Sequence, residues 1–298
     1  MDRGEGLTGE LAALEEAVMA GAAQSGLTPT VVRGFRKFIS LFYATRGRDL
    51  PWRRTTDPYC ILVSEFMLQQ TQVPRVLAWY PKFLARFPDI AALAAAPRQE
   101  VLRAWQGLGY NRRALALQDT ARVVVERYQG SVPLDRSSLD SFPGIGSATA
   151  GAIVVFSANR PEVFIETNIR RVYIHLFFPD SPRVSDREIE PVLARTLDRK
   201  NPRDFYYALM DYGSLLKQVR VNPNTRSASY ARQGPFQGSD RQARGRILRH
   251  LLTGGETGEC ELANLVPVET TRLERILDGL EREGFIDRAE GKIRCRND

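Results

Sequence analysis

Two short stretches of this chain carry chemistry that their surroundings do not call for. In Leu62-Val63-Ser64-Glu65-Phe66-Met67-Leu68 a single carboxylate, Glu65, interrupts an apolar run at helical spacing. A carboxylate held among apolar groups is costly to ionise, so it tends to keep its proton and becomes able to donate it. The plain alternative is a salt-bridged core glutamate. The second stretch is Pro143-Gly144-Ile145-Gly146 between two helical runs, Leu139 before it and Ala148-Thr149-Ala150-Gly151-Ala152 after it. Glycines at both turn positions let the backbone approach another chain. The helix that opens at Ser147 aims its unpaired amides and positive dipole end outward, a phosphate-binding arrangement. A glycine turn also serves as mere punctuation between helices.

The elements that hold these groups are helical. The chain has 298 residues, 43% apolar and 26% charged, enough to build an ordinary core and unlike a disordered or collagen-like protein. Apolar residues recur at helical spacing over most of it. This predicts helices at 31–46, 59–71, 74–87, 89–94, 98–107, 111–129, 136–141, 147–157, 167–177, 186–197 and 203–217. Prolines at 51, 58, 74, 88, 97, 133, 143 and 161 fall at or near the junctions, where a missing amide does least harm. Residues 1–30 read as an appended helix carrying no chemistry. Residues 240–298 read as three helices followed by two strands, near 285–288 and 292–295, which resembles a winged helix. The fold class expected is all-α.

Charge and cysteine use narrow the function. Lys plus Arg exceed Asp plus Glu by 42 to 35, a net +7 that favours an anionic partner. Much of it lies in 217–249, where Lys217, Arg220, Arg226, Arg232, Arg241, Arg244, Arg246 and Arg249 face one acid, Asp240. That run is either a solvated connector, over 218–239, or a surface for phosphates. The longest apolar runs are far below the roughly 18 residues of a membrane span. The opening Met1-Asp2-Arg3-Gly4-Glu5 does not have the form of a secretory signal, so a cytoplasmic, nucleoid-associated protein is expected. Cys60, Cys260 and Cys295 are too scattered for a metal cage, and His175 and His250 add no ligand pair, so no metal site is expected.

The order and spacing of several motifs then point to a family. Leu50-Pro51-Trp52-Arg53, Asp57-Pro58-Tyr59, Ser64-Glu65-Phe66-Met67-Leu68-Gln69-Gln70-Thr71-Gln72-Val73, Gly107-Leu108-Gly109-Tyr110 and the glycine hairpin together resemble adenine DNA glycosylases of the MutY type. These belong to the helix-hairpin-helix (HhH-GPD) superfamily. The likeness runs from about Leu50 to Gly213 and implies a two-lobed helical glycosylase domain over 31–217. It implies that Glu65 protonates the purine ring and that Gln70 enters the base stack, with Gln69, Thr71 and Tyr110 also binding DNA. It also implies that Gly144, Ile145, Gly146, Ser147, Ala148 and Thr149 bind the DNA backbone. The family's second carboxylate, in an Asp-x-Asn-Val pattern, maps to Glu166 with Asn168 retained, where it would steady positive charge at the sugar. Glu in place of Asp is a departure.

Other departures concern what is missing. The lysine nucleophile of bifunctional relatives is replaced by Ala148, implying base removal without strong strand cleavage. The four cysteines that hold an iron-sulfur cluster in most relatives have no counterpart in 214–236, so no cluster is expected, and Arg226 and Arg232 of the connector become candidate DNA contacts. The domain that reads 8-oxoguanine is replaced by the winged-helix-like segment. The expected partner is double-stranded DNA with a mismatched or damaged base, bound by a monomer. A thymine or uracil mismatch glycosylase, and a DNA-lesion-binding protein without catalysis, remain as alternatives.

Overall fold

The structure, a computed structural model, describes residues 9–296. The opening pentapeptide and the last two positions of the expected 240–298 segment lie outside the described residues. Along the chain run α1 (Glu10–Ser25), α2 (Pro29–Arg46), α3 (Pro58–Leu68), α4 (Val73–Arg86), α5 (Ile90–Ala95), α6 (Arg98–Trp105), α7 (Arg112–Tyr128) and α8 (Arg136–Asp140). They continue with α9 (Ser147–Ala158), α10 (Thr167–Phe177), α11 (Asp186–Thr196) and α12 (Pro202–Val219). The last part holds α13 (Asp240–Gly254), β1 (Thr257–Gly258), α14 (Glu259–Leu265), α15 (Thr270–Arg282), β2 (Ile286–Ala289) and β3 (Lys292–Cys295). The fold is all-α apart from that small sheet. No helix among the described residues is long and apolar enough to cross a membrane.

The chain divides into two compact units. One gathers the residues up to Thr56 with Leu134–Asp140 and Ile145–Arg232. Its core is aromatic: Phe35 meets Tyr173, and Phe38 and Phe42 meet Tyr212, all edge to face. The expected appendage belongs to this core. Leu11, Glu15 and Val18 of α1 are buried, and α1 packs on α2 and α10. Glu15 brings a carboxylate inside because His175 Nε2 lies 2.6 Å from it and Tyr212 Oη donates to it at 2.6 Å. Burial raises its pKa, but these bonds and the charges of His175 and Arg220 outweigh that and hold it below the ordinary value. Asp211 of α12 takes Arg53 on both oxygens at 2.7 Å and Arg48 at 2.6 Å, joining the Trp52-Arg53 motif to α12.

The other unit gathers Asp57–Pro133, Ser141–Gly144 and Gln233–Asp298. Trp105 and Phe83 pack edge to face in its core. The last sixty or so residues are tied into this unit: Gln99 Nε2 donates to the Cys295 carbonyl at 3.2 Å, and Arg103 Nε to that of Leu252 at 3.1 Å. The sheet runs β1-β3-β2, all antiparallel. β1 is a strand of two residues that alternation could not reveal.

Candidate active site and nucleic-acid interface

Asp57 caps α3, accepting from the amides of Tyr59 at 2.8 Å and Cys60 at 3.0 Å, and Tyr59 Oη donates to the Phe87 carbonyl at 2.7 Å. The apolar face of α3 is thereby sunk into its unit, and Glu65 is half-buried on it between buried Ser64 and Phe66. The helix expected to continue to residue 71 stops at Leu68, because its last carbonyls are taken by a side chain. Arg113 Nη1 donates to the carbonyls of Phe66, Met67 and Gln69 at 2.7, 3.0 and 2.5 Å. Its Nη2 donates to Thr71 Oγ1 at 2.9 Å and to the Gly109 carbonyl at 3.0 Å. Burial pushes the pKa of this guanidinium down to about 10.

One buried cation thus ties together the end of the Glu65 helix, the Gln69-Gln70-Thr71 turn and the Gly107-Leu108-Gly109-Tyr110 loop. In both loops a non-glycine residue takes the left-handed region, Gln70 at φ 54° and Tyr110 at φ 48°. Such conformations are uncommon outside glycine and concentrate where strain serves a task. Gln70 is exposed and Tyr110 is open along one side. The same unit holds the start of the glycine hairpin. Gln69 Nε2 donates to the Gly144 carbonyl at 3.1 Å, and Gly144 (φ 74°) leaves no room for a Cβ, which would lie 2.8 Å from Ala116 Cβ.

The hairpin continues in the first unit. Gly146 precedes α9 without any side-chain cap, so the helix begins with amides not taken up from that position. Gly144, Gly146 and Ser147 are exposed, and Ala148 and Thr149 half-buried. Ile145 is only 5% exposed, so its side chain anchors the turn. Ser147 Oγ receives Arg136 Nη2 at 2.6 Å.

Glu166 is found at the N-cap of α10. Its Oε1 accepts from the amides of Asn168 at 2.8 Å and Ile169 at 3.0 Å, while Asn168 Nδ2 donates to its Oε2 at 3.2 Å. The helix-cap task could not be seen in the sequence, where Glu is a poor cap former. Desolvation raises its pKa in spite of the two amides and of Arg171 and Arg170 nearby. The orientation of Asn168 is set from behind. Arg171 Nη1 donates to Asn168 Oδ1 at 2.7 Å and to the Gly213 carbonyl at 2.5 Å, and Arg171 Nε donates to Asn222 Oδ1 at 2.9 Å. Gly213 makes the approach possible, since a Cβ there would lie 2.3 Å from the Asn168 carbonyl oxygen.

The basic connector is stitched to α10. Asn224 Nδ2 donates to the Thr167 carbonyl at 2.8 Å, at the start of that helix. At its other end Arg226 donates to the carbonyls of Phe178, Pro179, Ser181 and Ile174 at 2.5–3.3 Å. Arg226, expected to meet phosphate, here has donors engaged in closing the C-terminal turn of α10, where a cation also suits the helix dipole. Arg232 is exposed. Donors for an iron-sulfur cluster are not gathered: Cys60, Cys260 and Cys295 are free thiols, and the described residues contain no group of three or more His, Cys, Asp or Glu that could hold a metal.

The predicted residues therefore fall into two sets. Glu65, Gln69, Gln70, Thr71, Tyr110 and Gly144 belong to one unit, and Ile145, Gly146, Ser147, Ala148, Thr149, Glu166, Asn168, Arg226 and Arg232 to the other. Arg113 and Arg171, which organise the two sets, were missed. A signal for Arg113 was present: it lies on the apolar stripe of α7 with Leu117, Thr120, Ala121 and Val124, where an arginine needs internal partners.

Residues 63–195 match the family described as HhH-GPD superfamily base excision DNA repair protein. An adenine DNA glycosylase of Mycobacterium tuberculosis is 36% identical over 273 residues, covering 83% of this chain and 88% of that one. That of Mycolicibacterium smegmatis is 35% identical, covering 85% and 92%. That of Buchnera aphidicola subsp. Baizongia pistaciae is 34% identical over 193 residues, and the chain spans about half of its length, 54%. Among solved structures, a thermostable thymine-DNA glycosylase aligns with a TM-score of 0.57 at 26% identity, over 65% of this chain and 91% of that one. A trapped endonuclease III–DNA covalent intermediate aligns with a TM-score of 0.54 at 21% identity, over 62% and 85%. With the capped Glu65 helix and the glycine hairpin in place, these matches show that the chain belongs to the HhH-GPD superfamily of base excision DNA repair proteins and, within it, to the adenine DNA glycosylases.

Proposed function

We propose that this protein is a monofunctional DNA glycosylase that hydrolyses the N-glycosidic bond of a flipped adenine in mispaired or damaged duplex DNA. The observation that carries the reading is the match to adenine DNA glycosylases over most of both chains, in a chain that keeps Glu65 on its apolar helix. In this reading Glu65 gives a proton to the purine and makes it a better leaving group. Glu166, with Asn168 bonded to it, steadies the positive charge that develops on the sugar. Gln70 and Tyr110 enter the base stack, and the exposed backbone of Gly144 and Gly146 meets a phosphate.

Ala148 offers no amine at the lysine position of bifunctional relatives, which supports base removal without strand cleavage. The scattered thiols support a protein that works without an iron-sulfur cluster, colourless as purified. The order helix, strand, helix, helix, strand, strand over 240–296 supports a winged-helix reading of the C-terminal part. Its third helix spends its charges internally: Arg272 pairs with Asp240, and Asp278 and Glu281 with Arg288. This favours packing over direct base reading for α15.

The test is a panel of duplexes, each with one altered pair, incubated with the protein and then treated with hot alkali. Abasic sites opposite guanine or 8-oxoguanine at adenine positions, with strands intact before alkali, are the expected result. Cleavage at thymine or uracil opposite guanine would favour the second reading, for which the likeness to the thymine-DNA glycosylase structure speaks. Binding without any abasic product would leave a lesion-binding protein.

A further inference from the structure

One aromatic ring linked to Tyr110 through Arg241 has no part in the reading above. Phe236, on the loop before α13, is 61% exposed. The loop itself is braced. Ser239 Oγ donates to the Phe236 carbonyl at 2.6 Å, and the Gly238 amide donates to Gln242 Oε1 at 2.8 Å. Arg241 Nη2 donates to the Gly234 carbonyl at 2.8 Å, and its guanidinium lies 6.0 Å from the centre of the Phe236 ring.

The same Arg241 reaches the other way. Its Nη1 donates to Tyr110 Oη at 2.9 Å, and Gln233 Nε2 donates to that oxygen as well. Tyr110, already in a left-handed conformation and with Arg113 5.5 Å from its ring centre, is thus fixed at its hydroxyl as well as at its backbone. Two open rings are held by one guanidinium. Phe236 lies in the stretch 233–249 of its unit, where Arg241, Arg244, Arg246 and Arg249 outnumber the one acid, Asp240, so the occupant that the charge selects is a polyanion. Rings interleaved with cations are how proteins stack on nucleobases while holding the backbone charge.

We propose that Phe236 is a further DNA-stacking residue, and that Gln233 and Arg241 are positioning residues that set Phe236 and Tyr110 to meet the base stack together. The inference rests on the glycosylase reading and goes beyond it, because it places a substrate contact outside the residues 63–195 that match the superfamily.

The experiment uses the full chain and mismatched duplexes carrying 2-aminopurine, placed in turn at each position flanking the mismatch on both strands. Binding of the native protein should change the fluorescence at several positions. Phe236→Ala should abolish the change at one of them, spare the rest, and reduce the preference for mismatched over matched DNA about tenfold with an unaltered salt slope. Phe236→Tyr should restore both. Arg241→Met should lose the Phe236 signal and also alter the one that depends on Tyr110, which Tyr110→Ala identifies. Since Phe236 is exposed, melting temperatures of its variants serve as a check that the fold is kept. Full fluorescence changes and full discrimination in Phe236→Ala would overturn the proposal, as would equal losses in Phe236→Ala and Phe236→Tyr. A native protein that excises no base but shows a Phe236-dependent signal would sink the glycosylase reading alone; one that excises adenine with Phe236-independent signals would sink this inference alone.

Discussion

Arg171 donates to the side-chain oxygen of Asn168 at 2.7 Å, and this one bond decides which end of the Asn168 amide faces Glu166. With its oxygen occupied, Asn168 can turn only its NH2 toward the carboxylate. The guanidinium also lends charge to Glu166, partly offsetting the desolvation that raises its pKa. Arg171→Met should therefore lower single-turnover excision about tenfold or more and move the acid limb of the pH–rate profile to higher pH. A loss of rate with an unmoved acid limb would mean that Arg171 only holds structure.

Glu166 itself yields a stability prediction with a definite sign. A carboxyl whose folded pKa is raised holds its proton more tightly in the native state, so stability is highest below the unfolded pKa and falls as pH rises toward the folded one. Glu166→Gln keeps an oxygen to accept from the Asn168 and Ile169 amides but carries no charge. Thermal melts should show native and variant proteins alike at low pH, with the variant the more stable above the raised pKa. Excision should be nearly abolished, and a variant as active as the native protein would remove Glu166 from the mechanism. Glu166→Asp, shorter by a methylene, should also be slower than native.

For Glu65 the expected signature separates chemistry from binding. Glu65→Gln should hold duplex affinity within a few-fold while excision drops at least about a hundredfold. Parallel loss of affinity and rate in a filter-binding and single-turnover pair of assays would assign Glu65 to structure.

Arg113 is a different case, since its six hydrogen-bonded partners span three segments. A lysine cannot serve carbonyls on both sides of a planar fork. Arg113→Lys should lower the melting temperature by several degrees, corresponding to roughly 2–4 kcal/mol for buried acceptors left unpaired, and should weaken mismatch binding. An unchanged melt would show that water replaces the guanidinium at little cost.

Two connector arginines should part company. Arg226→Ala should cost stability, through lost closure of the C-terminal turn of α10, and leave the salt dependence of DNA binding as it was. Arg232→Ala should leave the melt unchanged and reduce the salt slope by about one unit if that side chain meets a phosphate. Titrations at several salt concentrations read both.

Helix positions were legible because apolar spacing and proline junctions act locally, and α10 follows its expected span of 167–177 without a residue of error. Glu65 could be picked out because it interrupts an apolar pattern, and Gln70 and Tyr110 because their motifs resemble those of a family. What escaped the sequence is what depends on partners distant along the chain. Arg226 looks like any surface cation until the carbonyls of 174–181 come under it. The end of α3 is set by Arg113, 45 residues after Leu68. The apolar side of α1 gave no hint that Glu15 would go in with it, since His175 and Tyr212 had to be there to receive it.

The lodging of 233–296 in the same unit as α6 and α7 bears on how the protein can be dissected. A fragment cut before Gln233 would strip the partners from Gln99 and Arg103, uncover the face of α6 that α13 occupies, and release the Tyr110 hydroxyl from both of its donors. The matched stretch ending at 195 is thus no guide to a minimal active fragment, and a nick in the loop after Arg232 would cut the chain without freeing a disposable tail.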